Sequence, residues 1–152
     1  MVGIGMGLNM KCETQGVPIG TPANRGETIL VVEDDPGVRA MMVYLLRWQG
    51  YRVLEASHPV EAESLVRHFA DPIHLVLMDV TLPGISGYEL ARTLLNLRSI
   101  PAILFVSGYG EDHLALDRTI CTKSEFLLKP FGPNVLITKI HALLNAAQGR
   151  EA

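Results

Sequence analysis

Four apolar runs in this chain end in a group that can do chemistry. "ILVVEDD" (29–35) leads to Asp34 and Asp35, and "HLVLMD" (74–79) to Asp79. "AILFVS" (102–107) ends at Ser107 and "EFLLK" (125–129) at Lys129. Three carboxylates drawn together repel one another by several kcal/mol unless a cation sits among them. Oxygen-only ligands suit Mg²⁺, which is held by a few carboxylates, a backbone carbonyl and waters. Beside such an ion, an aspartate can attack a phosphoryl group and become an aspartyl phosphate. A lysine opposite it offsets charge on the equatorial oxygens, and a hydroxyl can donate to one of them.

Each group also has a plainer reading. Asp35 can serve only as a cap for the helix that follows, Asp34 and Asp79 as turn acids, Ser107 as a cap, and Lys129 as a solvated surface charge. Taken singly these readings hold their own. Taken together they need five accidents at one place, and that place is set by the elements that carry the residues.

From Glu27 onward, strand-like runs alternate with helical patterns. The strands are "TILVVE" (28–33), "YRVLEA" (51–56), "HLVLMD", "AILFVS" and "EFLLK". Asp35-Pro36 marks a helix start, and Val38, Met41, Met42, Leu45 and Leu46 follow the spacing of one buried face as far as Gly50. A second helix enters near Pro59 and carries Ala62, Leu65, Val66 and Phe69. Ser86, with Glu89 three residues on, resembles a capping box opening a third. The stretch 111–123 is weakly patterned and is read as a helix, and Pro133 opens a last one with Leu136, Ile140, Leu143 and Leu144. Strands that alternate with helices pair in parallel through right-handed crossovers, and continuous apolar strands are covered on both faces. The expected architecture is an open, doubly wound α/β sandwich. In such a sheet ligands bind beyond the carboxyl ends of the strands. Asp34, Asp35, Asp79, Ser107 and Lys129 all fall on that edge.

Composition narrows the rest. The chain has 152 residues, 48% of them apolar and 19% charged, which suits one globular domain. A net charge of −3 gives no electrostatic reason to expect nucleic acid or an anionic membrane surface as partner. No apolar run approaches a membrane span and no secretory signal is visible, so a cytoplasmic protein without membrane insertion is expected. Cys12 and Cys121 share no ligand spacing and are expected to be reduced thiols. Residues 1–26 hold six of the fourteen glycines and no persistent pattern, and are read as a flexible leader or linker before a domain over 27–150. Their "GIGMG" lacks the strand and helix that a phosphate loop needs. His58, His68, His74, His113 and His141 lack ligand spacing and are read as surface or packing residues, with Trp48 and the methionines of the first helix as core or its rim.

Residues 27–147 resemble the receiver domain of two-component response regulators. The resemblance is carried, in family order, by "ILVVEDD", "LMDVTLPGISG", "LFVSGY" and "FLLKPF". The "SGY" and "KPF" wording is closest to receivers attached to hybrid histidine kinases. The resemblance implies a flavodoxin-like strand order 2-1-3-4-5. It makes Asp79 the phosphoacceptor, and Asp34 and Asp35 the acid pair that holds Mg²⁺ with Asp79 and the Thr81 backbone carbonyl. Ser107 becomes the hydroxyl that moves onto the phosphoryl group, Lys129 the phosphate-contacting lysine, and Phe126 the rotating aromatic. The Lys129–Pro130 bond is expected to be cis. The implied function is a phosphoacceptor in a His-to-Asp phosphorelay. Such a domain catalyses only its own phosphorylation and dephosphorylation and switches a protein-interaction surface. The implied partners are a sensor histidine kinase or histidine phosphotransfer protein and a downstream protein target, with a weak homodimer as the self-association the reading allows. The rival is a Mg²⁺-dependent phosphohydrolase with an aspartyl nucleophile. That class generally needs an acid two residues after the nucleophile, where this chain has Thr81, and a cap for which no insertion is long enough. A flavin-binding relative would not place two acids where a phosphate must sit.

Overall fold

A computed structural model describes residues 26–108 and 123–149. Along the chain these form β1 (Thr28–Val32), α1 (Pro36–Trp48), β2 (Arg52–Ala56), α2 (Pro59–His68) and β3 (Leu75–Asp79). There follow α3 (Gly87–Leu97), β4 (Ala102–Ser107), β5 (Lys123–Leu128) and α4 (Pro133–Ala147). The five strands make one sheet in the order β2-β1-β3-β4-β5, and every pair is parallel. The expected strand order and the doubly wound architecture are both present.

The sheet is a two-sided core because its strands are apolar at both parities. Ile29, Val31, Leu75, Leu77, Leu104 and Val106 pack on one face with α1 and α4. Leu30, Val32, Val76, Met78, Ile103 and Phe105 pack on the other with α2 and α3. Successive side chains of a strand point to opposite faces, so an unbroken aliphatic run serves both. Every residue of β1, β3 and β4 is buried.

Helix starts follow the local chemistry. The Asp35 carboxylate accepts from the N–H groups of Gly37 (2.8 Å) and Val38 (3.1 Å), with Pro36 in the first turn of α1. The Ser86 hydroxyl accepts from the Glu89 N–H at 3.1 Å and caps α3. Gly50, at φ +96°, turns the chain out of α1 in a conformation other residues avoid.

Three features differ from the sequence reading. β5 starts at Lys123 rather than Glu125 and ends at Leu128, one residue before Lys129. It is an edge strand, so polar Lys123 and Ser124 join it without an apolar signal, paired with Ala102 and Ile103. Trp48 is not a core residue: 58% of its surface is exposed, as is 64% of Tyr44, while Met42, Val43 and Leu46 take the buried face of α1. The helix expected over 111–123 lies outside the described residues except for Lys123, as do residues 1–25, Cys12 and Cys121.

The described histidines serve packing and local bonding. His74 ties β1 to β3, its Nδ1 accepting from the Thr28 N–H at 3.0 Å. His68 Nδ1 lies 2.9 Å from the Ser64 carbonyl, and the His141 ring stands edge-on to Tyr51. No helix among the described residues is long and apolar enough to cross a membrane.

Candidate functional site

The order β2-β1-β3 reverses the chain's direction of travel across the sheet between β1 and β3. A crevice opens at the carboxyl ends of two strands that part in this way. Register decides what fills it. Val32 is paired with Met78, so the residues that follow them, Glu33 and Asp79, leave the sheet side by side. Both carry the parity of Val31 and Leu77, and Lys129 carries that of Leu127, all on the α1/α4 face. Ser107 and Phe126 carry the opposite parity.

Glu33, Asp34 and Asp79 bring one carboxylate oxygen each within 4.8 Å of one another. Lys129 Nζ donates to Glu33 Oε1 at 3.0 Å and to Asp79 Oδ2 at 3.1 Å. The Thr81 N–H donates to Asp79 Oδ1 at 2.9 Å, so each oxygen of Asp79 is held by a different donor. The Asp35 N–H donates to Glu33 Oε2 at 3.1 Å.

One ammonium therefore faces two carboxylates, with a third close by. The Glu33 side chain is 1% exposed, and burial pushes its carboxyl up to about 7 against the opposing pull of the Asp35 N–H and Lys129. Burial works to depress Lys129, but its hydrogen bonds to Glu33 and Asp79 outweigh that and hold the ammonium above its ordinary range.

Asp34, Asp79 and Lys129 are thus brought together, and the Asp35 carboxylate is not among them. Its carboxylate is committed to the first turn of α1, which is the plainer of its two readings. The acid that joins the cluster is Glu33, which the sequence reading treated as the last residue of a strand. Strand parity was the missed signal. Counted in twos from the apolar residues of one face, Glu33, Asp79 and Lys129 coincide; Asp35 shares that parity but lies two residues farther past the strand end, where it caps α1 beside Pro36.

Ser107 is fully buried at the end of β4, one residue beyond Val106, the register partner of Asp79. Its carbonyl accepts from the Lys129 N–H at 2.7 Å, which carries the lysine past the end of β5. Phe126 is half-buried, paired with Phe105, and packs with the α2/α3 face. The Lys129–Pro130 bond is cis. Gly87 is required by close approach: a Cβ there would lie 2.5 Å from the Asp79 carbonyl oxygen and 2.9 Å from Val80 Cα. The first turn of α3 thus rests directly on the backbone that carries Asp79.

A doubly wound sheet with an acidic, lysine-bridged pocket at its switch point defines the class of protein. The comparisons narrow it. The family profile described as "Response regulator receiver domain" matches residues 29–141, and the chain belongs to that family. It is 32% identical over 130 residues to the transcriptional regulatory protein AruR of Pseudomonas aeruginosa, covering 82% of this chain and 52% of AruR. It is 35% identical over 124 residues to the sensor kinase CckA of Brucella abortus, covering 82% of this chain and 13% of CckA. The chain thus spans about half of one relative and a small part of the other.

Solved structures agree with the fold. A CheY-like receiver domain protein from Methanospirillum hungatei superposes with a TM-score of 0.72 at 25% identity, covering 82% of this chain and 98% of that one. The receiver domain of the hybrid histidine kinase CckA gives 0.65 at 34% identity, covering 77% and 98%.

Proposed function

We propose that this chain is the phosphoacceptor of a His-to-Asp phosphorelay in the cytoplasm, with Asp79 as nucleophile. The observation that carries the reading is the double hold on Asp79. Thr81 N–H and Lys129 Nζ take one oxygen each, at the end of a central strand and beside Glu33 and Asp34. A carboxylate positioned in this way needs little further organisation to attack.

The donor set fits Mg²⁺: three carboxylate oxygens within 4.8 Å of one another suit a hard cation, and one ammonium leaves them undercompensated. Glu33, Asp34 and Asp79 would hold the ion with the Thr81 carbonyl, in place of the pair Asp34 and Asp35. When bound, Mg²⁺ supplies positive charge for the equatorial oxygens of the transferred group.

An Asp79 oxygen attacks the phosphorus of a phosphohistidine on a sensor kinase or phosphotransfer protein. The new P–O bond forms as the P–N bond breaks, and its electron pair stays on the imidazole nitrogen. Lys129 turns from the carboxylates to a phosphoryl oxygen. The Ser107 hydroxyl donates to another, and Phe126, of the same strand parity, moves into the space this vacates. That remodels the β5–α4 face for a downstream protein target. Water later attacks the same phosphorus, so the domain turns over only its own phosphate.

Labelling with radioactive acetyl phosphate tests the assignment. Wild type should take up a Mg²⁺-dependent, acid-stable and base-labile label, and Asp79→Asn should take up none while keeping its fold. Normal stoichiometry in Asp79→Asn would overturn the reading.

A further inference from the structure

Two of the three acids at the pocket have donors of their own. Glu33 accepts from Lys129 Nζ and from the Asp35 N–H, and Asp79 accepts from Lys129 Nζ and from the Thr81 N–H. Among the described residues, nothing donates to the exposed Asp34 carboxylate. Its direction is therefore set by the backbone, and first by the peptide that joins it to Glu33. The Glu33 N–H is still held by the Ala56 carbonyl of β2, at 3.1 Å. The Glu33 carbonyl, past the end of β1, accepts instead from a side chain, Arg39 Nη1, at 2.8 Å.

Arg39 is itself held. Its Nε lies 3.5 Å from Glu55 Oε1 on β2, and the other oxygen of Glu55 lies 3.7 Å from Arg47 Nη2. Glu55 is the register partner of Val31, so the guanidinium spans the ends of two neighbouring strands. A planar fork suits that task, because its N–H groups meet different acceptors at fixed angles, whereas an ammonium is a single point of charge. The charge of Arg39 by itself would oppose a cation nearby. Glu55 offsets it, so what remains at the pocket is the aim of a carbonyl and of the acid that follows it.

We propose that Arg39 is a positioning residue for the metal site. Held by Glu55, it fixes the Glu33–Asp34 peptide and with it the direction of the Asp34 carboxylate. It acts through Asp34 and not on the ion or the phosphoryl group. Resting on the reading of the pocket as a Mg²⁺ site, this role extends the support of that site to β2, the outermost strand of the sheet. Partners that orient a metal ligand in this way govern how tightly the metal is held.

Mg²⁺ titration of the full chain, followed by the amide shifts of Asp34 and Thr81, gives the dissociation constant without a phosphodonor. Arg39→Ala should raise it about tenfold, and Arg39→Lys should recover only part of the loss. Once Mg²⁺ saturates, acetyl phosphate should label Arg39→Ala at close to the wild-type rate, so that the change falls on metal affinity alone. Glu55→Gln, at an exposed position, loosens the same guanidinium and should also weaken binding. Arg47→Ala, which reaches Glu55 but not the Glu33 carbonyl, should bind as wild type does. An unchanged or lower dissociation constant in Arg39→Ala overturns the proposal, since the arginine then serves stability only or acts through its charge. Where that variant does not fold, the same result in Glu55→Gln overturns it. An equal loss in Arg47→Ala overturns it too, because the effect would then belong to the packing of α1. A wild-type protein that binds no Mg²⁺ removes the reading of the pocket and this role together.

Discussion

β1 has a buried glutamate immediately before it and another immediately after, Glu27 at 3% exposure and Glu33 at 1%. They share residue type, strand and burial, yet they do opposite things. At the amino edge, Glu27 accepts from the Gln148 amide at 2.8 Å, and its carbonyl accepts from the Arg52 N–H at 3.0 Å. A neutral donor thus ties the first strand to the last helix. At the carboxyl edge, Glu33 shares one ammonium with Asp79 and lies against Asp34. A buried carboxylate with its own donor is a fastening. One crowded among acids is a charge deficit, and such deficits gather where chemistry is done.

Substitutions at the carboxyl edge should therefore change chemistry more than stability. The largest effect is expected at Gly87, whose α3 turn rests on the Asp79 backbone. Gly87→Ala should displace the Asp79 carboxylate by a fraction of an ångström and, on the proposed function, slow acetyl phosphate labelling by about ten- to a hundredfold. A rate within twofold of wild type, in a folded variant, would show that the turn does not position Asp79.

Glu33 gives a pH signature. Its carboxyl ionises near 4.5 in the unfolded chain and near 7 in the fold. Between those values the folded state holds the extra proton, so the metal-free protein should lose stability as pH rises from 4.5 to 7 and then level off. The loss should be roughly 1–3 kcal/mol, the full span from 4.5 to about 7 setting the upper end. Glu33→Gln should flatten this window in urea titrations and stabilise the metal-free protein at pH 8. Mg²⁺ should bind wild type more tightly as pH rises toward 7, because the ion competes with that proton. A variant as pH-sensitive as wild type would remove Glu33 from the cluster.

The sequence was most legible where pattern and covalent order coincide. Asp79 and Lys129 could be read because each directly follows an apolar run, and Asp34 because it directly follows the strand-like "TILVVE". Glu33 was hidden by its own run. It extends "TILVV" by one letter, and only the pairing of Val32 with Met78 shows that it is the neighbour of Asp79. α1 shows a different limit. Its large apolar residues lie at 38, 41, 42, 43, 44, 45, 46 and 48, more than one face can hold. Spacing alone does not decide that Met42 goes inward and Trp48 outward. The sheet decides it, by offering room on one side only.

At the amino edge, the effect should fall on stability alone. Glu27→Ala removes the acceptor of Gln148 in a buried setting and should cost about 1–3 kcal/mol in urea unfolding. Labelling of Asp79, at the far end of the strand, should be unchanged. A large fall in labelling rate would mean that the two edges are coupled and that the comparison fails.

The smallest effect is expected at Asp35, and it separates the two roles an acid can take beside this pocket. Its Oδ1 accepts from the N–H groups of Gly37 and Val38, donors that the first turn of α1 would otherwise leave without a helical partner. Alanine cannot accept, so Asp35→Ala should cost about 1 kcal/mol, the ordinary cost of losing a cap, whereas asparagine should keep most of the bond and most of the stability. Neither change removes a carboxylate from the cluster of Glu33, Asp34 and Asp79. The rise in melting temperature with millimolar Mg²⁺ should therefore survive both, from a lowered baseline only in the alanine case. If Asp35→Asn instead abolishes the Mg²⁺ response at near-normal metal-free stability, the carboxylate leaves its cap to bind the ion, and the acid pair belongs one residue later along the chain.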